Sequence, residues 1–305
     1  MKATRYIYTI ISGAFLMTSC LSSTIGDGQD VIHINPVLGT DVRSAGNLKP
    51  DVERLDFGVY AVTEGGEKYI DNEYLSFKGG RWAMSEDYIW PQDGSLRFLA
   101  YSPFKASLSL TSNRLTVKGF TPTESDYTLL TADTERVLNK QGGEVSLEFY
   151  PATSSLDFRV ANSLNQETVV KLEKIVLKGI YLTGSLSEKE QSEWVLEGEK
   201  NDVVVYDSAS ADTSLKAGTE TVERIPQWFG RKLNVLPQMS LPVAEVTYSL
   251  STAGSGWLTG QVQTTDVLIS EWAAGRKYTY TLFITENKVK HTVGITDWKG
   301  EIIEK

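Results

Sequence analysis

Cysteine is the scarcest side chain, with one copy, Cys20, in 305 residues. A lone thiol has no intramolecular partner, so no disulfide framework holds this chain together. Histidine occurs twice, as His33 and His291. Both sit in alternating stretches where a half-exposed side chain is sufficient explanation. With no cluster of His, Cys or carboxylate at ligand spacing, no metal site is read. Basic clusters are absent too, and the formal net charge is −9. That balance excludes nucleic acid and anionic lipid as partners recognised through a basic face. No segment keeps a 3.6-residue apolar period over some 15 residues, which excludes a helical bundle. No glycine-rich phosphate loop joins a strand to a helix, and no nucleophile elbow is present. Catalytic, cofactor-binding and metal-binding residues are therefore not assigned, and the chain is read as a non-enzyme. Asp and Glu total 39, too many for a catalytic carboxylate pair to be picked out by spacing. The densest acidic stretch, SEKEQSEWVLEGE, reads as a solvated connection.

What remains is a chain of short alternating segments punctuated by turns. Glycine numbers 25 and aromatics make up 10%. LDFGVYAV (55–62), SLRFLAYSPF (95–104), EVSLEFYPATSSLDFRVAN (144–162), EVTYSLST (245–252), RKYTYTLFIT (276–285) and KVKHTVGITDW (288–298) carry the two-residue period of half-buried strands. In RKYTYTLFIT, Tyr278, Tyr280, Leu282 and Ile284 share one face, opposite Thr279, Thr281 and Phe283. VVKLEKIVLKGIYL (169–182) is also read as strand, on its β-branched content. The spacing predicts an all-β protein of two antiparallel β-sandwiches joined near residue 165.

The amino-terminal region is of another kind. Lys2 and Arg5 precede an apolar run from Tyr6 to Met17, then Thr18, Ser19 and Cys20. The run is too short to span a bilayer as a helix and matches a secretory signal. Small residues before cysteine resemble a bacterial lipobox, which marks residues 1–19 as signal peptide and Cys20 as the lipidated residue. A polar tether follows, then VIHINPVLGTDVRSAG (31–46). Ile32, Ile34, Pro36 and Leu38 share one parity, so they face a core while His33 and Asn35 face out. Burying the three aliphatics contributes about 5–9 kcal/mol, against a typical domain stability of about 5–15 kcal/mol. Pro36 lacks an N–H, which places the segment at a sheet edge or bulge. Arg43 then opens into small residues suited to proteolysis.

Several motifs in order resemble the fimbrillin family, the subunits of type V pili of anaerobic Gram-negative bacteria. They are YIWPQDGSLRFLAYSP (88–103), DYTLLTADT (126–134), VSLEFYPATSSLDFRV (145–160), LPQ (236–238), EWAAGRKYTYTLFIT (271–285) and VGITDW (293–298). Pro151 stands where the family commonly has histidine, so any role of that histidine is absent. The resemblance implies two tandem transthyretin-like sandwiches, export as an outer-membrane lipoprotein, and cleavage after an arginine by a trypsin-like protease. It further implies that the cut removes the first strand and that a strand of another pilus subunit fills the vacated groove. On this reading residues 20–43 are a tether and removable strand, 44–165 the first sandwich and 166–305 the second with its tail. Cleavage falls between Arg43 and Ser44, with Arg54 a rival that abuts the next strand.

The seven-residue tail after Trp298 is a candidate donor through Ile302 and Ile303. It spans about 23 Å when extended, and its two isoleucines point to opposite faces. Stalk, tip and uncleaved anchor roles all stay open at this point. A different class of function rests on the seven tryptophans, Trp82, Trp90, Trp194, Trp228, Trp257, Trp272 and Trp298. Exposed indoles would make a surface lipoprotein able to stack on host glycans; buried ones would plug the ends of sandwiches.

Overall fold

The computed structural model describes residues 31–39, 53, 55–124, 127–138, 144–165, 167–186, 193–207, 214–216 and 227–298. Among these residues there are strands and one 3-10 turn over 104–106, and no α-helix. The first ten strands are β1 (His33–Leu38), β2 (Asp56–Thr63), β3 (Lys68–Lys78), β4 (Arg81–Ala83), β5 (Ser95–Ser102), β6 (Ser109–Thr111), β7 (Arg114–Phe120), β8 (Leu130–Asp133), β9 (Val137–Leu138) and β10 (Glu144–Pro151). They are followed by β11 (Ser154–Asn162), β12 (Thr168–Ile180), β13 (Thr183–Leu186), β14 (Trp194–Glu197), β15 (Asn201–Asp207) and β16 (Ser214–Lys216). The last five are β17 (Gln227–Val235), β18 (Val243–Thr252), β19 (Leu258–Thr264), β20 (Arg276–Ile284) and β21 (Val289–Asp297).

The largest sheet runs β1-β10-β8-β5-β2-β3-β4, with β9 also on β5. It curls until the start of β1 meets the link between β4 and β5, where Val31 bridges to Ile89 and the Ile32 N–H donates to the Tyr88 carbonyl at 2.7 Å. The strands responsible are apolar on alternate positions, and the curl encloses Phe57, Val59, Phe98, Leu147 and Phe149. β2 and β5 are apolar on both faces for a reason. Their other face, through Tyr60, Val62, Leu99 and Tyr101, packs beneath a small sheet ordered β14-β13-β7-β6.

The rest of the chain forms two face-to-face sheets, β17-β11-β20-β21 and β15-β12-β18-β19, with β16 added to β12. Tyr278, Tyr280, Leu282 and Ile284 face the core between them, as their parity predicts. β12 is less regular. Its register shifts between Leu172 and Lys174, so Val170 and Leu172 before the bulge and Ile175 and Leu177 after it all point inward.

Two details differ from the sequence reading. The stretch 184–200 is not a plain connection: its ends form the hairpin β13–β14, which pairs with β7. Leu186 is buried there, and the Trp194 indole N–H donates to the Ala152 carbonyl at 2.7 Å. The position expected to divide the sandwiches, 165, falls between β11 and β12, and both of these line the same core. The chain leaves the first sheet earlier, at Ala152 and Thr153, between β10 and β11.

Candidate functional site

β1 is the terminal strand of the first sheet, and it runs parallel to β10 with His33 opposite Glu144 and Leu38 opposite Phe149. Ile32, Ile34, Pro36 and Leu38 are buried, His33 and Asn35 are exposed, and Val37 is half-buried. The structure therefore brings the four residues of the expected inward face together in one place. They fill a trough whose floor contains Phe57, Val145, Leu147 and Phe149, with Phe57 and Phe149 meeting edge to face at 5.1 Å. At the far wall Trp90 lies edge-on to Phe98 at 5.8 Å.

Backbone bonds fix which way β1 faces. The Gly39 N–H donates to the Phe149 carbonyl at 2.8 Å, while the Ile32 N–H donates away from β10, to Tyr88. Odd-numbered residues thus give their N–H to β10, and even-numbered residues point theirs to the opposite side. Pro36 belongs to the even set, so its missing N–H would have faced the open edge and no bond to β10 is lost.

The two ends of β1 are held by tyrosines that sequence reasoning did not single out. Tyr88 supplies the carbonyl for Ile32, and its phenol is pushed up to about 12 by burial and by hydrogen bonds to Glu86 and Glu73. Tyr150 lies over Gly39, where an added Cβ would come within 2.3 Å of the ring. The Tyr150 hydroxyl donates to Glu148 at 2.7 Å, and that carboxylate, with partial burial, holds the phenol above its ordinary value. No periodicity announces either contact, because each depends on residues 50 or more positions from β1.

Cys20, Arg43, Ser44, Arg54, Ile302 and Ile303 lie outside the described residues. Of the tryptophans, Trp90, Trp272 and Trp298 are buried and Trp82 and Trp194 half-buried. Trp257 is 44% exposed, with the Lys171 ammonium 4.4 Å from its ring centre. Nothing is described of the Trp228 side chain. His33 is exposed, and His291 is half-buried with Nε2 3.2 Å from the Leu268 carbonyl. Among the described residues no group of three or more His, Cys, Asp or Glu is placed to hold a metal ion.

A family model described as fimbrillin-like matches residues 51–298. The chain belongs to the fimbrillin-like family. Solved structures share the fimbrillin fold at low identity. A fimbrial protein from Bacteroides vulgatus is 14% identical, with a TM-score of 0.58 over 89% of this chain and 100% of that one. A candidate cell adhesion protein from Bacteroides uniformis is 17% identical, with a TM-score of 0.56 over 89% of this chain and 100% of that one. No curated protein matches. The matched span of this fimbrillin begins after β1, so the family pattern covers the groove and not the strand that fills it.

Proposed function

We propose that this fimbrillin is a structural subunit of a surface pilus that polymerises by replacing β1 with a strand of another subunit. The observation that carries the reading is β1 itself. It is a short edge strand that, with Ile32 just ahead of it, buries four side chains, and its backbone bonds to one neighbouring strand over most of its length. Its removal would leave an apolar trough beside an unpaired edge of β10, the arrangement that recruits an extended segment by strand addition. Membership of the fimbrillin-like family supports the pilus role and a cell-surface location.

Export as an outer-membrane lipoprotein on Cys20 and cleavage between Arg43 and Ser44 by a trypsin-like protease are parts of the same proposal, and the tail carrying Ile302 and Ile303 is one candidate donor. A tandem pair of transthyretin-like sandwiches belongs to the proposal too. Other pilus subunits are the partners, with lipid holding the precursor at the membrane and a host protein or glycan as the adhesion ligand. No catalysis and no cofactor enter it.

The test is the amino terminus and mass of the protein on the native cell surface. A species beginning at Ser44, free of lipid and in high-molecular-weight material, is the expected result. An intact lipidated Cys20 with residues 31–42 still attached would sink strand replacement. An anchor subunit would then fit better, or a glycan-binding lipoprotein using Trp257, the one described tryptophan that is exposed.

A further inference from the structure

We infer that the trough selects its strand by a glycine rule: the occupant carries glycine directly after its fourth inward residue, because the Tyr150 ring closes that position. This rests on the reading that β1 is replaceable, and it names the chemistry of what replaces it. The partner is an extended segment of a second protein chain. It lies parallel to β10, with aliphatic or proline side chains at four alternate positions and glycine immediately beyond. The tail carrying Ile302 and Ile303 does not meet the rule, because its two isoleucines are adjacent and no glycine follows them.

The four apolar positions follow from the burial of Ile32, Ile34, Pro36 and Leu38, and the direction follows from the β1–β10 register. Three of the seven residues from Ile32 to Leu38 point away from the core, His33 and Asn35 exposed and Val37 half-buried. Alternation of this kind is common to many strands, so by itself it selects weakly. Gly39 adds a requirement at one defined point.

The backbone of Gly39 is bound, since its N–H donates to the Phe149 carbonyl at 2.8 Å. A replacement strand making the same bond has its Cα in the same place. A Cβ there would lie 2.3 Å from two carbons of the Tyr150 ring and 2.7 Å from a third, well inside contact distance. Gly39 is not in the left-handed region of backbone space, so the demand is for room and not for a special dihedral. Tyr150 is 49% exposed, yet it is not loose: its hydroxyl is tied to Glu148 two residues away on the same strand. Gly39 and Tyr150 both belong to the outward set, so the ring covers Gly39 on the solvent face of β10, and moving it aside to admit a side chain breaks the bond to Glu148. The ring thus works as an end stop that fixes the register of whatever lies on β10. A one-residue slip would bring a larger residue beneath it and turn the inward set outward.

The experiment uses the full chain with a site-specific protease sequence placed in residues 44–48, cut after folding so that the β1 segment stays seated without a covalent link. A labelled peptide VIHINPVLG and its analogue with leucine for the final glycine are offered in excess, and exchange is read by fluorescence anisotropy. The parent peptide is expected to exchange into the trough. The leucine analogue should bind about ten-fold more weakly, as when a side chain is forced into filled space. In the Tyr150→Ala chain that difference should disappear. Equal binding of the two peptides to the unaltered chain, or a difference that survives Tyr150→Ala, overturns the glycine rule.

If neither peptide exchanges, strand replacement itself fails, and the rule is decided in the uncut chain. There Gly39→Leu should lower the melting temperature and Tyr150→Ala in the same chain should restore it. Absence of that rescue overturns the contact as the selecting feature.

Discussion

Tyr280 shows how a single polar atom can be committed inside an apolar sandwich. Its ring is fully buried and stacked on Phe158 at 5.5 Å, and its hydroxyl accepts the Trp272 indole N–H at 2.9 Å. Burial raises its pKa strongly. The bond matters because Trp272 is buried as well, so its N–H has no water to turn to. Tyr280→Phe keeps the packing and orphans that donor. The expected cost is about 1–3 kcal/mol, read as a lower denaturant midpoint with an unchanged slope. An unchanged midpoint would show that the indole finds another acceptor. The alternation in RKYTYTLFIT made the burial of Tyr280 readable in advance. Its partner was not readable, because Trp272 reaches the core from a loop with no period of its own.

At the scale of elements, β1 combines a buried face with a protected edge. Its even-numbered N–H groups face away from β10, and Pro36 removes the middle one, so no further strand can pair evenly along that side. Pro36→Val supplies the missing donor and a β-branched residue in one change. The variant should self-associate more strongly than the parent chain, by about 0.5–1.5 kcal/mol for the restored bond, as read by sedimentation over a range of concentrations. Identical sedimentation of the two would mean that Pro36 does not guard the edge.

Elements also mark where sequence reasoning runs out. β10 announces itself because one face is wet and the other dry along its whole length, and β20 because one face is buried and the other half-buried. β12 does not, because the bulge after Leu172 inverts the parity midway and leaves Ile175 and Leu177 out of step with Leu172. The hairpin β13–β14 is obscured for another reason. Few of its residues turn inward, chiefly Leu186 and Trp194, and six acidic or polar neighbours dominate the stretch between them. The inward face of β1 was legible, whereas Tyr88 and Tyr150 become part of the site only when distant segments are brought together.

The whole molecule carries its tyrosines as a shared response to alkali. Tyr60 and Tyr88 are pushed up to about 12, burial being the largest cause for both, and Tyr60 also donates to the Leu108 carbonyl at 2.7 Å. In the unfolded chain each ionises near 10. Below pH 10 both states hold the proton and stability is insensitive to these groups. Between pH 10 and about 12 the unfolded state releases protons that the folded state retains, so stability falls as pH rises. Urea midpoints measured across that range should decline, and less so in the Tyr60→Phe variant. A midpoint that stays level across that range would contradict the raised values.

The link between β10 and β11 has a mechanical consequence. β10 leaves the first sheet at its carboxyl end and passes within three residues into the second sandwich, while the strand beside it points the same way. Tension applied to the amino end of a strand seated next to β10, and resisted through β11, pulls the two parallel neighbours in opposite directions along their length. The ladder between them is then loaded in shear, all of its bonds sharing the force, and cannot be peeled open one bond at a time.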